Sequence, residues 1–424
     1  MPSFAPPFRQ LHYRIMTPLR DFLNDSRATG VILVGCTIMS IFISNSFNGE
    51  WYRNFWSAEL GLSSYLHLPS SPTHWINDFL MAFFFLLAGM EIKRELLNGE
   101  LASFKKAILP FGAAFGGMLF PALIFVALNA GSSHVHGWGI PTATDIAFSI
   151  GVASLLGKRF PLSLKILLLA LAIIDDLGAI IVIALFYGGH IEWLYLGIST
   201  LIYLALFASN YFKLKFGIIQ VALGFALWYF MLQSGIEASI AGVLFAFAVP
   251  VEALAIIEKA IHRQVNFIIL PLFALANTAI LFPTNISHAL NTTVSLGIIL
   301  GLVVGKPLGI FLISRLMVGL KIASLPAHIR WKQLIGMGTL AGIGFTMSIF
   351  TTMLAFPDAA SRDIAKISIL TAVLGSVVVS WLYFHLIEVK VKPVSVVPVV
   401  PEPSIEQIFE PVLQRLSLYA SARG

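Results

Sequence analysis

Apolar residues run along this chain in long continuous blocks separated by short polar links. Twelve blocks read as membrane-spanning helices: 28–48, 75–97, 107–129, 143–157, 163–187, 192–211, 214–232, 235–250, 265–283, 293–314, 333–356 and 366–387. A helix needs about 20 apolar residues to cross the hydrocarbon core. The strands of a membrane barrel would instead show stretches of about 10 residues alternating in polarity. The pattern therefore predicts an all-α polytopic membrane domain over 28–391.

Two stretches fall outside the blocks. Residues 49–72 carry Trp51, Tyr52, Phe55, Trp56 and Tyr65 and read as an external hairpin or loop. Aromatics of this kind settle at the membrane interface, and the functional reading is an oligomer contact. From Lys392 onward, Pro393, Pro398, Pro401 and Pro403 stand among valines as an extended linker. Ile405, Ile408, Phe409, Val412, Leu413 and Leu416 then repeat at helical spacing behind a Ser404/Gln407 capping box, with Pro411 interrupting. The tail 392–424 reads either as an amphipathic helix on the lipid surface or as unstructured chain.

Composition agrees with the blocks. Of 424 residues, 58% are hydrophobic and 11% charged, against about 25% charged in soluble proteins; so few charges could not keep a soluble surface wet. If the blocks alternate sides, 23 of the 27 Lys and Arg residues fall on the side of the N-terminus. Positive charge resists translocation, so both termini, including the segment 1–27, are expected in the cytoplasm. That segment carries four Arg and two Asp without a short apolar core, which argues against a cleaved signal peptide. The net charge of +6 comes without a basic block interleaved with aromatics, so no nucleic-acid partner is expected. Cys36 is the only cysteine, which excludes an intrachain disulfide. No cofactor motif is present, and His134-Val-His136 alone is too weak a signal for a metal.

The informative residues are charges where charge is costly. Asp145, Asp175, Asp176 and Lys306 fall deep within blocks, and Asp78 and Glu91 lie nearer the two ends of the second. Ionisable groups in a bilayer mark ion paths or proton relays, with structural ion pairing as the alternative. Adjacent carboxylates weaken that alternative, because Lys306 neutralises only one of them. Consecutive helix residues point about 100° apart. One aspartate of the pair is thus expected to line an ion site while the other pairs elsewhere.

Two blocks look interrupted. Pro141-Thr142-Ala143-Thr144-Asp145 opens a short apolar stretch, and Gly342-Ile343-Gly344-Phe345-Thr346 lies mid-block. Discontinuous helices expose helix ends at the midplane, where transporters bind ions. Asp145 would there stabilise positive N-terminal ends, and Lys306 negative C-terminal ends. Gly297, Gly301, Gly305 and Gly309 place a small residue at every fourth position, which predicts close helix packing around Lys306.

These features resemble the NhaA family of sodium/proton antiporters. The matching stretches are WINDFLMAFFFLLAGMEIKREL (75–96), PTATDIAFSIGV (141–152), LAIIDDLGAIIVIALFY (171–187), ILPLFALANT (269–278), VVGKPLGI (303–310) and GIGFTMSIF (342–350). The resemblance implies twelve helices in inverted repeats, with two discontinuous helices crossing. It implies Asp176 as the main ligand of Na+ or Li+, with Thr144 beside it, and Asp175 as the partner of Lys306. Asp145 would face the crossed helix ends. Asp78 would lie on the external route, Glu91 at the cytoplasmic funnel, and Glu258 in a region tied to pH response. Residues 49–72 match the position of a hairpin that helps form a homodimer. The chain departs from the family pattern at Glu237, where the best-known members have a histidine, and at Lys259, although His262 is retained.

The expected function is secondary transport. Na+ or Li+ leaves across a bacterial inner membrane in exchange for external protons, pH-regulated and electrogenic, with Na+, Li+, H+, membrane lipid and a second copy of the chain as partners. The competing readings are an intramembrane aspartyl protease using Asp145 and Asp176, a sodium channel, and an antiporter for K+. The first lacks a Gly-x-Gly-Asp motif.

Overall fold

The computed structural model describes residues 26–61, 68–212, 214–326 and 329–386. Tyr65, the expected tail helix and most of the N-terminal segment lie outside the described residues. Those described form helices α1 Ser26–Ser44, α2 Gly49–Ser57, α3 Met81–Asn98, α4 Phe104–Asn129, α5 Ile146–Leu155, α6 Leu162–Phe186, α7 Trp193–Tyr211 and α8 Ile218–Gln233. They continue as α9 Ile240–Ala248, α10 Val251–Gln264, α11 Leu270–Asn277, α12 Thr293–Leu300, α13 Lys306–Gly319, α14 Trp331–Ala341, α15 Phe345–Ala355 and α16 Ala359–Leu386. No strand occurs among the described residues.

Six helices are long and apolar enough to cross a membrane, or up to eight if each of two bent pairs counts as one span. The expected spans at 143–157 and 214–232 are shorter helices, α5 and α8, and that at 235–250 is the nine-residue α9. Length alone therefore does not give twelve spans. The expected span 265–283 is also corrected. It ends at Asn277 and continues N-terminally, through a π-helical turn at Val265–Ile269, into the amphipathic α10. Within the stretch 49–72, residues Gly49–Ser57 form the helix α2, bent 113° from α1.

Local chemistry explains the irregular turns. A proline lacks the N–H that would bond four residues back. One π-helical turn, Gly301–Gly305, is followed by Lys306-Pro307, and Val265–Ile269 is followed by Leu270-Pro271. Such turns absorb the missing bond and often sit at functional positions.

The glycine row of α12–α13 packs on α4. A Cβ built on Gly309 would stand 2.0 Å from the Gly116 carbonyl oxygen, and one on Gly301 would stand 2.9 Å from Pro141 Cβ. The helices approach backbone to backbone, as small residues permit in lipid. Gly117 on α4 faces the Lys306 side chain, whose Cε would lie 3.7 Å from a Cβ there.

Both expected interruptions are present. A 3-10 helix, Ser133–Thr142, leads into extended backbone before α5, and α14 and α15 are bent by 50° at Gly342–Gly344. Backbone at membrane depth must find partners inside the protein, and the two breaks supply them to each other. Asp145 N donates to Ile343 O at 2.7 Å. Ser149 Oγ donates to Leu340 O at 3.0 Å, and Ser348 Oγ to Ile140 O at 2.7 Å.

Candidate functional site

The breaks place charged side chains against helix ends. Asp145 is the N-cap of α5, its Oδ1 accepting from Phe148 N at 2.9 Å. Its Oδ2 accepts from both Thr346 N, 3.0 Å, and Thr346 Oγ1, 2.7 Å, at the start of α15. One carboxylate thus caps two helices and faces two positive ends. Asp145→Ala is expected to lower stability by about 1–2 kcal/mol for each helix start, measured by thermal unfolding in detergent. An unchanged melting temperature would refute the double cap.

Lys306 meets the opposite kind of end. Its ammonium donates to Thr142 O, the last residue of the 3-10 helix, and forms an ion pair with Asp175 Oδ2 at 2.9 Å. Both side chains are 0% exposed. The Thr144 hydroxyl lies 2.6 Å from the same Asp175 oxygen and 2.9 Å from Ala341 O, so its single proton serves two acceptors. Lys306 stands directly after a π-helical turn, which sets the register that brings it to Asp175 across α6 and α13.

Asp176 points elsewhere. Together with Thr144, Asp145, Glu91 and Thr346 it lines a cavity of about 320 Å³. Its Oδ1 is buried without a hydrogen-bond partner among the described residues. Asp175 Oδ1 is likewise buried without a partner among the described residues, so the aspartates differ in what else they face: Asp175 Oδ2 meets a fixed cation, and Asp176 lines the cavity. A carboxylate with a free oxygen beside hydroxyl groups is a hard-oxygen donor set of the kind that suits small cations.

Not every expected residue is brought here. Glu91 reaches the cavity. Glu258 does not line it; it forms an ion pair with Arg94. Asp78 stands in the π-helical turn Trp75–Leu80, its carbonyl accepting from Trp228 Nε1 at 2.8 Å, and faces Glu237 electrostatically. It too is absent from the cavity lining. Conversely, Thr29, Asn266 and Thr346 line the cavity without having been singled out. Thr346 had a local signal, a hydroxyl residue directly after the Gly-x-Gly break. The other two are ordinary polar residues at the polar ends of their blocks, beside Arg27 and beside His262, Arg263 and Gln264.

A sequence profile of the family described as Na+/H+ antiporter 1 matches residues 20–384. The chain belongs to the NhaA family of Na+/H+ antiporters. It is similar to the Na(+)/H(+) antiporter NhaA of Flavobacterium psychrophilum, 46% identical over 373 residues, 87% of this chain and 95% of the relative. It is also similar to the NhaA of Dechloromonas aromatica, 47% identical over 377 residues, 86% of this chain and 95% of that protein. As an NhaA-family member the chain is a multi-pass membrane transporter rather than an enzyme. The six stretches that carry the resemblance all lie inside the matched region.

Proposed function

We propose that this protein exports Na+ or Li+ across the bacterial inner membrane in exchange for external protons. The observation that carries this reading is the Asp176 side chain, which makes no hydrogen bond among the described residues and lines a cavity next to the buried Asp175–Lys306 pair. A cation and a proton compete for Asp176, and Asp175, Thr144 and Lys306 set the local charge around that exchange. In our reading the cation enters from the cytoplasm past Glu91, binds at Asp176 and displaces protons. The core then reorients, the cation leaves along the Asp78 side, and protons load and return inward. If more protons than cations cross per cycle, transport is electrogenic and the membrane potential drives export.

The finer architecture belongs to the same proposal. We take the chain to hold twelve spans in inverted repeats, with both discontinuous helices crossing at Asp145 and Lys306 and with cytoplasmic termini. A homodimer forms through residues 49–72, and Glu258 with its Arg94 partner takes part in pH response. The protease reading is disfavoured by the donors around Asp145. Both of its oxygens are engaged as helix caps, whereas a catalytic dyad needs one free to share a proton.

The test is a proteoliposome assay across pH with Na+, Li+ or K+, at clamped and released voltage. Proton movement with Na+ and Li+ that responds to voltage is expected. Sodium current without proton exchange would instead identify a channel, and exchange with K+ alone would overturn the ion assignment.

A further inference from the structure

The cavity holds two oxygen-bearing residues that the exchange at Asp176 leaves unused. Thr29, on α1, is 4% exposed and lines the cavity, and its hydroxyl makes no hydrogen bond among the described residues. Asn266 comes from the π-helical turn before α11. Its Nδ2 lies 3.3 Å and 3.1 Å from the two ring nitrogens of His262. The amide nitrogen thus faces the ring, and Oδ1 accepts no bond among the described residues. Both residues thus line the cavity with an oxygen that no described residue engages and that an entering ion can meet.

We propose that Thr29 and Asn266 form a staging site for a partly hydrated monovalent cation ahead of Asp176. The proposal rests on the antiport reading and deepens it.

Space and charge both fit. About six first-shell waters occupy roughly 180 Å³ at about 30 Å³ each, well within a cavity of about 320 Å³. A hydrated ion can therefore enter, yet it must shed water to bind a buried carboxylate directly. Glu91 and Asp176 on the same cavity give it a potential that draws cations in. A carboxylate at the staging position would hold the ion too firmly. Neutral oxygens replace part of its hydration shell and still release it, as stepwise conduction requires.

The test uses the full-length protein in proteoliposomes, following Na+-driven proton movement at fixed pH. Thr29→Val combined with Asn266→Leu removes both oxygens. The expected result is an apparent KM for Na+ raised about tenfold, with maximal rate changed less than about twofold. Thr29→Ser and Asn266→Gln keep an oxygen on each wall and are expected to recover most of the affinity. A purely structural role would lower the maximal rate and gain nothing from these replacements. An unchanged KM in the double variant, or a lowered maximal rate at fixed KM, overturns the staging site and leaves the antiport reading standing. Absence of exchange by the unaltered chain overturns both. Should the double variant not fold, the single variants Thr29→Val and Asn266→Leu are read by the same criteria.

Discussion

Replacing Asp176 by Asn should abolish Na+-dependent proton movement in everted vesicles while leaving the protein folded. Loss of even a supporting residue at an ion site commonly costs 10–100-fold. Removing the charged ligand itself should therefore cost at least about 100-fold in exchange rate at moderate Na+. The same substitution should leave stability unchanged or raised. Asn is nearly isosteric with Asp, and Asp176 Oδ1 has no protein donor to lose. The wild-type carboxylate, 4% exposed, carries a desolvation cost that a neutral amide avoids. Loss of transport together with an equal or higher melting temperature marks a site kept for function at the expense of stability. Exchange at the parental rate in Asp176→Asn would sink the assignment. A collapse of the fold would show that Asp176 is structural.

Legibility in the sequence followed the strength of local signals. The blocks at 107–129, 163–187 and 192–211 emerge as Phe104–Asn129, Leu162–Phe186 and Trp193–Tyr211, because long apolar runs admit no other structure in lipid. Both chain breaks were legible because Pro141 and the Gly342/Gly344 pair are local obstacles to a helix. The helix Val251–Gln264 was missed because it is amphipathic: Glu252, Glu258, Lys259 and Arg263 interrupt its apolar run. Its helical period is visible only when one looks for a stripe rather than a block. The helix Gly49–Ser57 was hidden for a similar reason, its aromatics sharing nine residues with Glu50 and Arg53.

At the site, the four intramembrane charges stood out from cost alone. Their division of labour did not. Helix geometry required Asp175 and Asp176 to diverge without deciding which one meets Lys306; the family resemblance implied Asp175, and Asp175 Oδ2 lies 2.9 Å from the Lys306 ammonium. Thr29 and Asn266 carried no signal, since a neutral polar residue in a membrane helix is unremarkable until a cavity opens beside it.

The Lys306–Asp175 pair makes the second large prediction, and its sign depends on which partner is removed. Lys306→Met leaves the Asp175 carboxylate buried without its cation and strips Thr142 O of its donor. Removing one member of a buried pair typically costs about 3–5 kcal/mol. Asp175→Asn should cost less, because Lys306 keeps Thr142 O, and the amide oxygen still accepts from the Thr144 hydroxyl. Asp175→Asn with Lys306→Met removes both charges at nearly constant volume, and buried pairs replaced in this way often lose little stability. A double-mutant cycle on thermal or denaturant unfolding should therefore show a strong favourable coupling between the two positions. Additive losses would mean that the pair contributes through packing alone. Transport then separates structure from mechanism. If the pair only braces the broken helices, the double variant recovers both stability and the parental pH profile. If Asp175 and Lys306 exchange protons during the cycle, stability returns while the pH dependence of exchange stays altered, and the second outcome is the one the buried geometry favours. Two charges cost more to bury than the apolar residues that could replace them, so a pair held at 0% exposure is expected to act in the cycle, and a parental pH profile in the double variant would show that it acts through the fold alone.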